Sequence, residues 1–157
     1  MVIKQLLDED FVNYKKPSMF IGFPYCSWKC DKECGMQVCQ NSALATAISK
    51  NIGVKTIVNR YINNSITSSI VCGGLEPFDT WDDLYELITY MRISTQDDIV
   101  IYTGYYKKEI EEYIKKLKTF PNIIIKFGRY IPCQEKHYDE ELGIYLASDN
   151  QYAERIS

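Results

Sequence analysis

SMFIGFPYCSWKCDKECGMQVCQN, residues 18–41, joins an uncharged run of strand length to a loop carrying cysteines at 26, 30, 34 and 39. The run SMFIGF (Ser18–Phe23) is apolar throughout, as expected for a strand covered on both faces rather than one with a wet side. Cys26 to Cys39 spans fourteen residues. Thiols crowded that closely in a reducing compartment point to metal binding or redox work rather than to disulfides.

Further along the chain, similar runs recur in SSIVCG (Ser68–Gly73), DIVIYT (Asp98–Thr103), NIIIKF (Asn122–Phe127) and GIYLA (Gly143–Ala147). Helical patterns separate them. TWDDLYELITYMR opens on Thr80 with Asp83 three residues later, a capping-box spacing, and puts Leu84, Leu87, Ile88 and Met91 on one face. KKEIEEYIKKLK does the same with Ile110, Tyr113, Ile114 and Leu117, and offers Glu111–Lys115 and Glu112–Lys116 as solvated pairs. VKTIVNRYINN predicts a shorter helix closed by Asn63 and Asn64, and Pro121 marks the turn into the next strand. Strands alternating with helices predict an α/β fold of parallel βα units. In such sheets ligands gather at the carboxyl ends of the strands, so the cysteine loop, GGLEP (Gly73–Pro77) and the TGY turn after Tyr102 should open on one edge.

A chain of 157 residues holds one full core and not two. Residues 1–17 are read as an N-terminal extension and 18–157 as a single domain. With 46% hydrophobic and 25% charged residues the composition is globular. A net charge of -3 and a pI near 5.2 leave no broad basic face, which argues against nucleic acid as a partner. Asp8, Glu9 and Asp10 interrupt any secretory core near the start, and no apolar stretch reaches membrane-spanning length. The expected location is therefore the cytoplasm, with no membrane contact.

A tetrahedral zinc site wants four nitrogen or sulfur ligands, usually in paired knuckles, whereas a cubane with one open iron wants three thiolates. No C-x-x-C pair occurs here, and the one histidine, His137, lies far off in a charged segment and reads as a surface residue. Four cysteines still leave zinc open as an alternative. Cys72 and Cys133 read as ordinary thiols, Cys72 at a strand end as a small hydrophobe. Trp28 and Trp81 read as packing near the cysteine loop or in the core.

C-x-x-x-C after a first strand, a third cysteine, and a glycine pair with Glu-Pro after the second strand together resemble the radical S-adenosylmethionine enzymes. The likeness is nearest to the small activating proteins of anaerobic ribonucleotide reductase, and it runs from about Ser18 to about Gln151. Tyr102-Thr103-Gly104-Tyr105 resembles a segment beside the cofactor pocket of those activators. Lys126-Phe127-Gly128-Arg129-Tyr130 and Ala147-Ser148-Asp149-Asn150-Gln151 resemble their C-terminal markers. The spacing departs from the family's C-x3-C-x2-C, because Cys30 is followed by Cys34 after three residues and by Cys39 after eight. Cys39-Gln40-Asn41 is similar to the family's Cys-x-Asn, which favours Cys39 as third ligand, with Cys34 the alternative and DKECGMQV an insertion.

The resemblance implies an incomplete (β/α) barrel with covering helices. It implies a [4Fe–4S] cluster on Cys26, Cys30 and Cys39, and S-adenosylmethionine held with help from Gly73, Gly74, Glu76 and Thr103. In that family one electron cleaves the sulfonium bond and the 5′-deoxyadenosyl radical takes a hydrogen atom from its target. The expected partners are a glycyl radical enzyme such as anaerobic ribonucleotide reductase and a flavodoxin- or ferredoxin-like electron donor. Lys126 and Arg129 are candidates to contact a carboxylate or a partner. A relative that modifies another peptide or a metabolite, and a non-catalytic iron–sulfur or zinc module, stay open as alternatives.

Overall fold

The computed structural model describes residues 1–157. In chain order its elements are β1 (Val2–Ile3), β2 (Gln5–Asp10), β3 (Ser18–Phe23), α1 (Lys29–Cys34), α2 (Ser42–Ala45), β4 (Lys50–Asn51), α3 (Val54–Ile62) and β5 (Ser69–Gly74). There follow α4 (Trp81–Ser94), β6 (Asp98–Tyr102), α5 (Glu111–Leu117), β7 (Ile123–Phe127), β8 (His137–Asp139), β9 (Ile144–Leu146) and β10 (Tyr152–Arg155). Short 3₁₀ turns, Pro77–Thr80 and Lys107–Ile110, lead into α4 and α5.

Six strands form one sheet in the order β10-β7-β6-β5-β3-β2. The inner four, β3, β5, β6 and β7, run parallel, as the apolar runs predict, and each crossover carries a helix. Alternate residues on these strands, among them Met19, Ile21, Phe23, Ile70, Cys72, Ile99, Ile101, Ile123 and Ile125, form one core with the apolar faces of α3, α4 and α5. The other face carries Phe20, Val71, Val100 and Ile124, covered by Tyr14, Leu142 and Leu146. Both faces are dry, which explains the absence of a polar alternation in the sequence of these strands.

The sheet is mixed rather than wholly parallel, because β2 and β10 close its two edges antiparallel. Their sequences, QLLDED and YAER, are polar, which suits edge strands with one side in water. The first seventeen residues are accordingly part of the body of the protein rather than an extension ahead of it. β2 pairs with β3, Leu6 opposite Ile21, and Ile3 and Tyr14 are buried, which gives β3 a neighbour on its outer side.

Three local expectations are corrected. GIYLA contributes β9 to a separate antiparallel hairpin with β8, not a fifth strand to the main sheet. Tyr145 is 69% exposed while Leu146 is buried, a one-sided pattern that fits a flap laid over the sheet. Thr80 makes no capping box: its hydroxyl donates to the Pro77 carbonyl at 3.4 Å because a 3₁₀ turn precedes the helix, and Asp83 accepts instead from the Val2 N–H. On α5 the ion pair is Lys115 with Glu112, three residues apart at 2.6 Å. The faces themselves are as read, with Leu84, Leu87, Ile88 and Met91 of α4 fully buried.

Candidate metal centre

Because β3, β5, β6 and β7 are parallel, their carboxyl ends lie on one edge of the sheet and the segments that follow them face one another. A cavity of about 580 Å³ sits there. Cys26, Cys30, Cys39, Gly73, Gly74, Glu76 and Thr103 all line it, and Cys34 does not. Segments as distant in sequence as Gln5 and Gln151 line this one space.

The cysteine loop has its own internal logic. Trp28, in the left-handed region at φ 56°, turns the chain into α1, and its N–H donates to Cys26 Sγ at 3.3 Å. Gly35, at φ 66°, ends the helix, a conformation glycine adopts without steric cost. Asp31 then folds the return path, its Oδ1 accepting from the N–H groups of Val38 and Cys39 at 2.9 Å each. The insertion is therefore a short helix and a hairpin-like return that brings Cys39 back to the cavity. Cys34 follows Cys30 by four helical residues, about 6 Å along the axis, and is carried out of it.

Other elements pin the loop. The Glu76 N–H donates to the Tyr25 carbonyl at 2.7 Å, and Asp79 accepts from the Ser27 N–H at 2.5 Å and from the Tyr105 hydroxyl at 2.6 Å. Arg129, 7% exposed, forms a two-pronged pair with Glu109 at 2.8 and 2.9 Å. It also lies 2.9 Å from the Glu33 carboxylate of α1 and stacks on the Tyr106 ring at 4.3 Å. Lys29 reaches Glu109 at 3.1 Å. Arg129 thus ties α1 to the body. The sequence offered no local signal for Asp79 or Glu109, whose roles depend on contacts across the fold.

Glu76 is a brace as well as a lining residue. Its carboxylate accepts from the Phe78 N–H at 3.2 Å, the Thr103 hydroxyl at 2.8 Å and the Gly104 N–H at 2.9 Å. Burial nevertheless outweighs these donors and pushes its carboxyl up to about 7. Cys26 is pushed up to about 12 by burial, against the Trp28 N–H, and burial raises Cys30 and Cys39 as well. As free thiols they keep their protons at neutral pH, so binding a metal there releases protons. Burial lowers Lys126 to about 8, opposed by the negative fields of Cys30 and Glu76.

No three cysteine, histidine or carboxylate side chains converge tightly enough to hold a single metal ion. A cubane makes a different demand, because each thiolate binds a separate iron corner and the sulfurs must surround a space rather than a point. Three thiols around one cavity, with no imidazole among its lining residues, fit that demand. Gly104 also keeps the space beside the thiol clear, since a Cβ there would meet Cys30 Sγ at 3.4 Å. His137 lies away on β8, Cys72 is buried under the helices, and Cys133 is exposed. No helix is long and apolar enough to cross a membrane.

No curated protein and no solved structure matches the chain. A family model described as a 4Fe-4S single cluster domain matches residues 18–152, from the first buried strand through the Ser148–Gln151 turn, and includes every cysteine. With six cysteines, three of them around one cavity at the strand ends, the chain belongs to the 4Fe-4S single cluster domain family.

Proposed function

We propose that this protein is a cytoplasmic radical S-adenosylmethionine enzyme of the activating type, which generates a glycyl radical on a partner such as anaerobic ribonucleotide reductase. The observation that carries this reading is the shared cavity: three thiols, the Gly73–Glu76 turn and Thr103 line the same space. A [4Fe–4S] cluster held by Cys26, Cys30 and Cys39 would supply the one-electron reduction that cleaves S-adenosylmethionine, with hydrogen-atom abstraction from the target as the outcome.

The residues of the chain position and shelter that chemistry. Cys26, Cys30 and Cys39 would hold the cluster through their thiolates, beside the turn that would take the amino-acid end of S-adenosylmethionine. Gly73 and Gly74 allow the backbone to approach it closely. Thr103 and Gly104 hold the Glu76 carboxylate at the cavity wall, where a remaining lone pair can accept from an ammonium. The four parallel strands are the wall of an incomplete (β/α) barrel, and its unclosed side admits a loop of the partner. The electron comes from a flavodoxin- or ferredoxin-like donor.

The decisive experiment is anaerobic. The chain is reconstituted with iron and sulfide, reduced with dithionite and given S-adenosylmethionine, and 5′-deoxyadenosine is measured. The nucleoside forms in the unaltered chain and not in Cys39→Ala. A stable cubane that never yields it identifies a non-catalytic cluster module instead, and zinc held by four thiolates identifies a structural one.

A further inference from the structure

Lys126 occupies an unusual position for a charged side chain. It stands in β7 between Ile125 and Phe127, which face the helices, and so projects to the opposite face, into the cavity. The residue is 7% exposed. Its ammonium donates to the Gly128 carbonyl at 3.1 Å, and no carboxylate lies within ion-pair distance. An ammonium carries three N–H donors, so two have no protein acceptor.

It is the only cation among the residues lining the cavity, and neither carboxylate there forms an ion pair with it. Glu76 accepts from Phe78, Thr103 and Gly104, and Asp10 accepts from the backbone N–H groups of Val12 and Asn13 and the Asn13 amide. A buried charge left without a counter-charge is costly, so the site calls for an anion. The cavity thiols, once deprotonated, are anions that share this space with it. A charge on Cys30 favours the charged form of Lys126.

Resting on the cluster reading above, we infer that Lys126 is the counter-cation of the metal centre, sharing its cavity with the three thiolates and raising the reduction potential of the bound cluster. A fixed positive charge in a dry site stabilises the state that carries one more electron. The lysine thus favours uptake of an electron at a centre whose three thiolates are otherwise uncompensated within the cavity.

The test compares Lys126→Met and Lys126→Arg with the unaltered chain, each reconstituted with iron and sulfide and titrated electrochemically without S-adenosylmethionine, with absorbance and electron paramagnetic resonance as readouts. Lys126→Arg is expected to titrate with the unaltered chain. Lys126→Met is expected to titrate lower: at the potential that half-reduces the unaltered cluster, its reduced-to-oxidised ratio falls about tenfold, equivalent to about 59 mV for one electron. A Lys126→Met chain that folds by circular dichroism but holds no iron, while Lys126→Arg holds it, supports the same conclusion, because the charge then serves to gather the thiolates. An unchanged potential in Lys126→Met overturns the inference. So does weakened S-adenosylmethionine binding at unchanged potential, which assigns the lysine to a ligand carboxylate, and so does equal loss of iron in both variants. An unaltered chain that takes up no cubane overturns the functional reading together with this one, whereas a cubane indifferent to residue 126 overturns only the role of the lysine.

Discussion

Thr103 Oγ1 donates to Glu76 Oε1 at 2.8 Å, so the ends of β6 and β5 are bound together by two side chains at the cavity wall. The carboxyl they hold sits near 7, above its ordinary 4.5, because burial disfavours its charge. A carboxyl raised in the folded state contributes stability that is complete below about 4.5 and lost as pH climbs through about 7. The metal-free protein should therefore lose up to about 3 kcal/mol from this group between pH 4.5 and pH 8. Urea unfolding across that range should show a steeper fall in the unaltered chain than in Glu76→Gln. Parallel curves would remove Glu76 as the cause.

The cysteines should separate cleanly. Replacing Cys26, Cys30 or Cys39 by alanine is expected to reduce reconstituted iron and sulfide to background, because each lines the cavity. Cys34→Ala should retain both, since α1 carries that thiol away. Cluster absorbance retained by Cys39→Ala and lost by Cys34→Ala would reverse the assignment.

Neighbouring glycines should respond unequally. At Gly74, φ is +79° and a Cβ would lie 2.7 Å from Leu44 Cδ2 and 2.9 Å from Gly22 Cα, so Gly74→Ala should cost about 2–3 kcal/mol. At Gly73 a Cβ would meet Phe20 Cε2 at 3.3 Å with no left-handed strain, and Gly73→Ala should cost about 1 kcal/mol or less. Denaturant midpoints of the two variants measure the difference.

Asp98 braces the opposite end of the sheet. It accepts from the Tyr14 hydroxyl at 2.9 Å, from Lys16 at 2.5 Å and from Arg155 at 2.8 Å. Burial alone would raise its carboxyl, but these donors win and hold it at about 2. A depressed carboxyl contributes stability that is present above its unfolded value near 4 and lost as pH falls through about 2. Allowing for the half-exposed lysine, Asp98→Asn should cost about 1–2 kcal/mol at pH 7. That difference should shrink towards pH 2, as read by thermal unfolding at both pH values.

Arg129 holds α1 against Glu109. Truncating it leaves Glu109, whose carboxyl sits at about 2 chiefly through the Arg129 hydrogen bonds, without its main partner. Arg129→Ala should cost about 2 kcal/mol, below the range for a fully buried pair because Glu33 and Glu109 are partly wet. Hydrogen exchange should accelerate selectively in residues 29–34. Uniform acceleration across the sheet would indicate a general loss of packing rather than release of the loop.

Much of the architecture was legible in the chain. Runs such as NIIIKF and DIVIYT have no polar alternation, and only a strand buried on both faces tolerates that, so the four parallel strands follow from composition alone. The buried face of α4 follows from spacing in the same way. Edge strands were less readable. QLLDED and YAER are polar enough to pass for loops, and their pairing with β3 and β7 is settled by which sheet edges remain open. GIYLA misleads because Tyr145 and Leu146 serve opposite sides of a flap.

The four cysteines, the glycine turn after β5 and the segment after β6 are linear facts, and the sequence by itself determined that a thiol-rich loop follows the first buried strand. Only the tertiary structure decided which thiols share a cavity. Whether Cys34 or Cys39 lines it depends on a helix that turns at Trp28, stops at Gly35 and is folded back by Asp31, with its outer face held by Arg129 from beyond the end of β7. The same holds for Lys126, an ordinary basic residue in sequence, whose burial in the cavity that Cys30 and Glu76 also line is a consequence of strand order. Local periodicity encodes which face of an element is apolar, whereas the position of a polar side chain in a cavity is set by how the elements pack against one another.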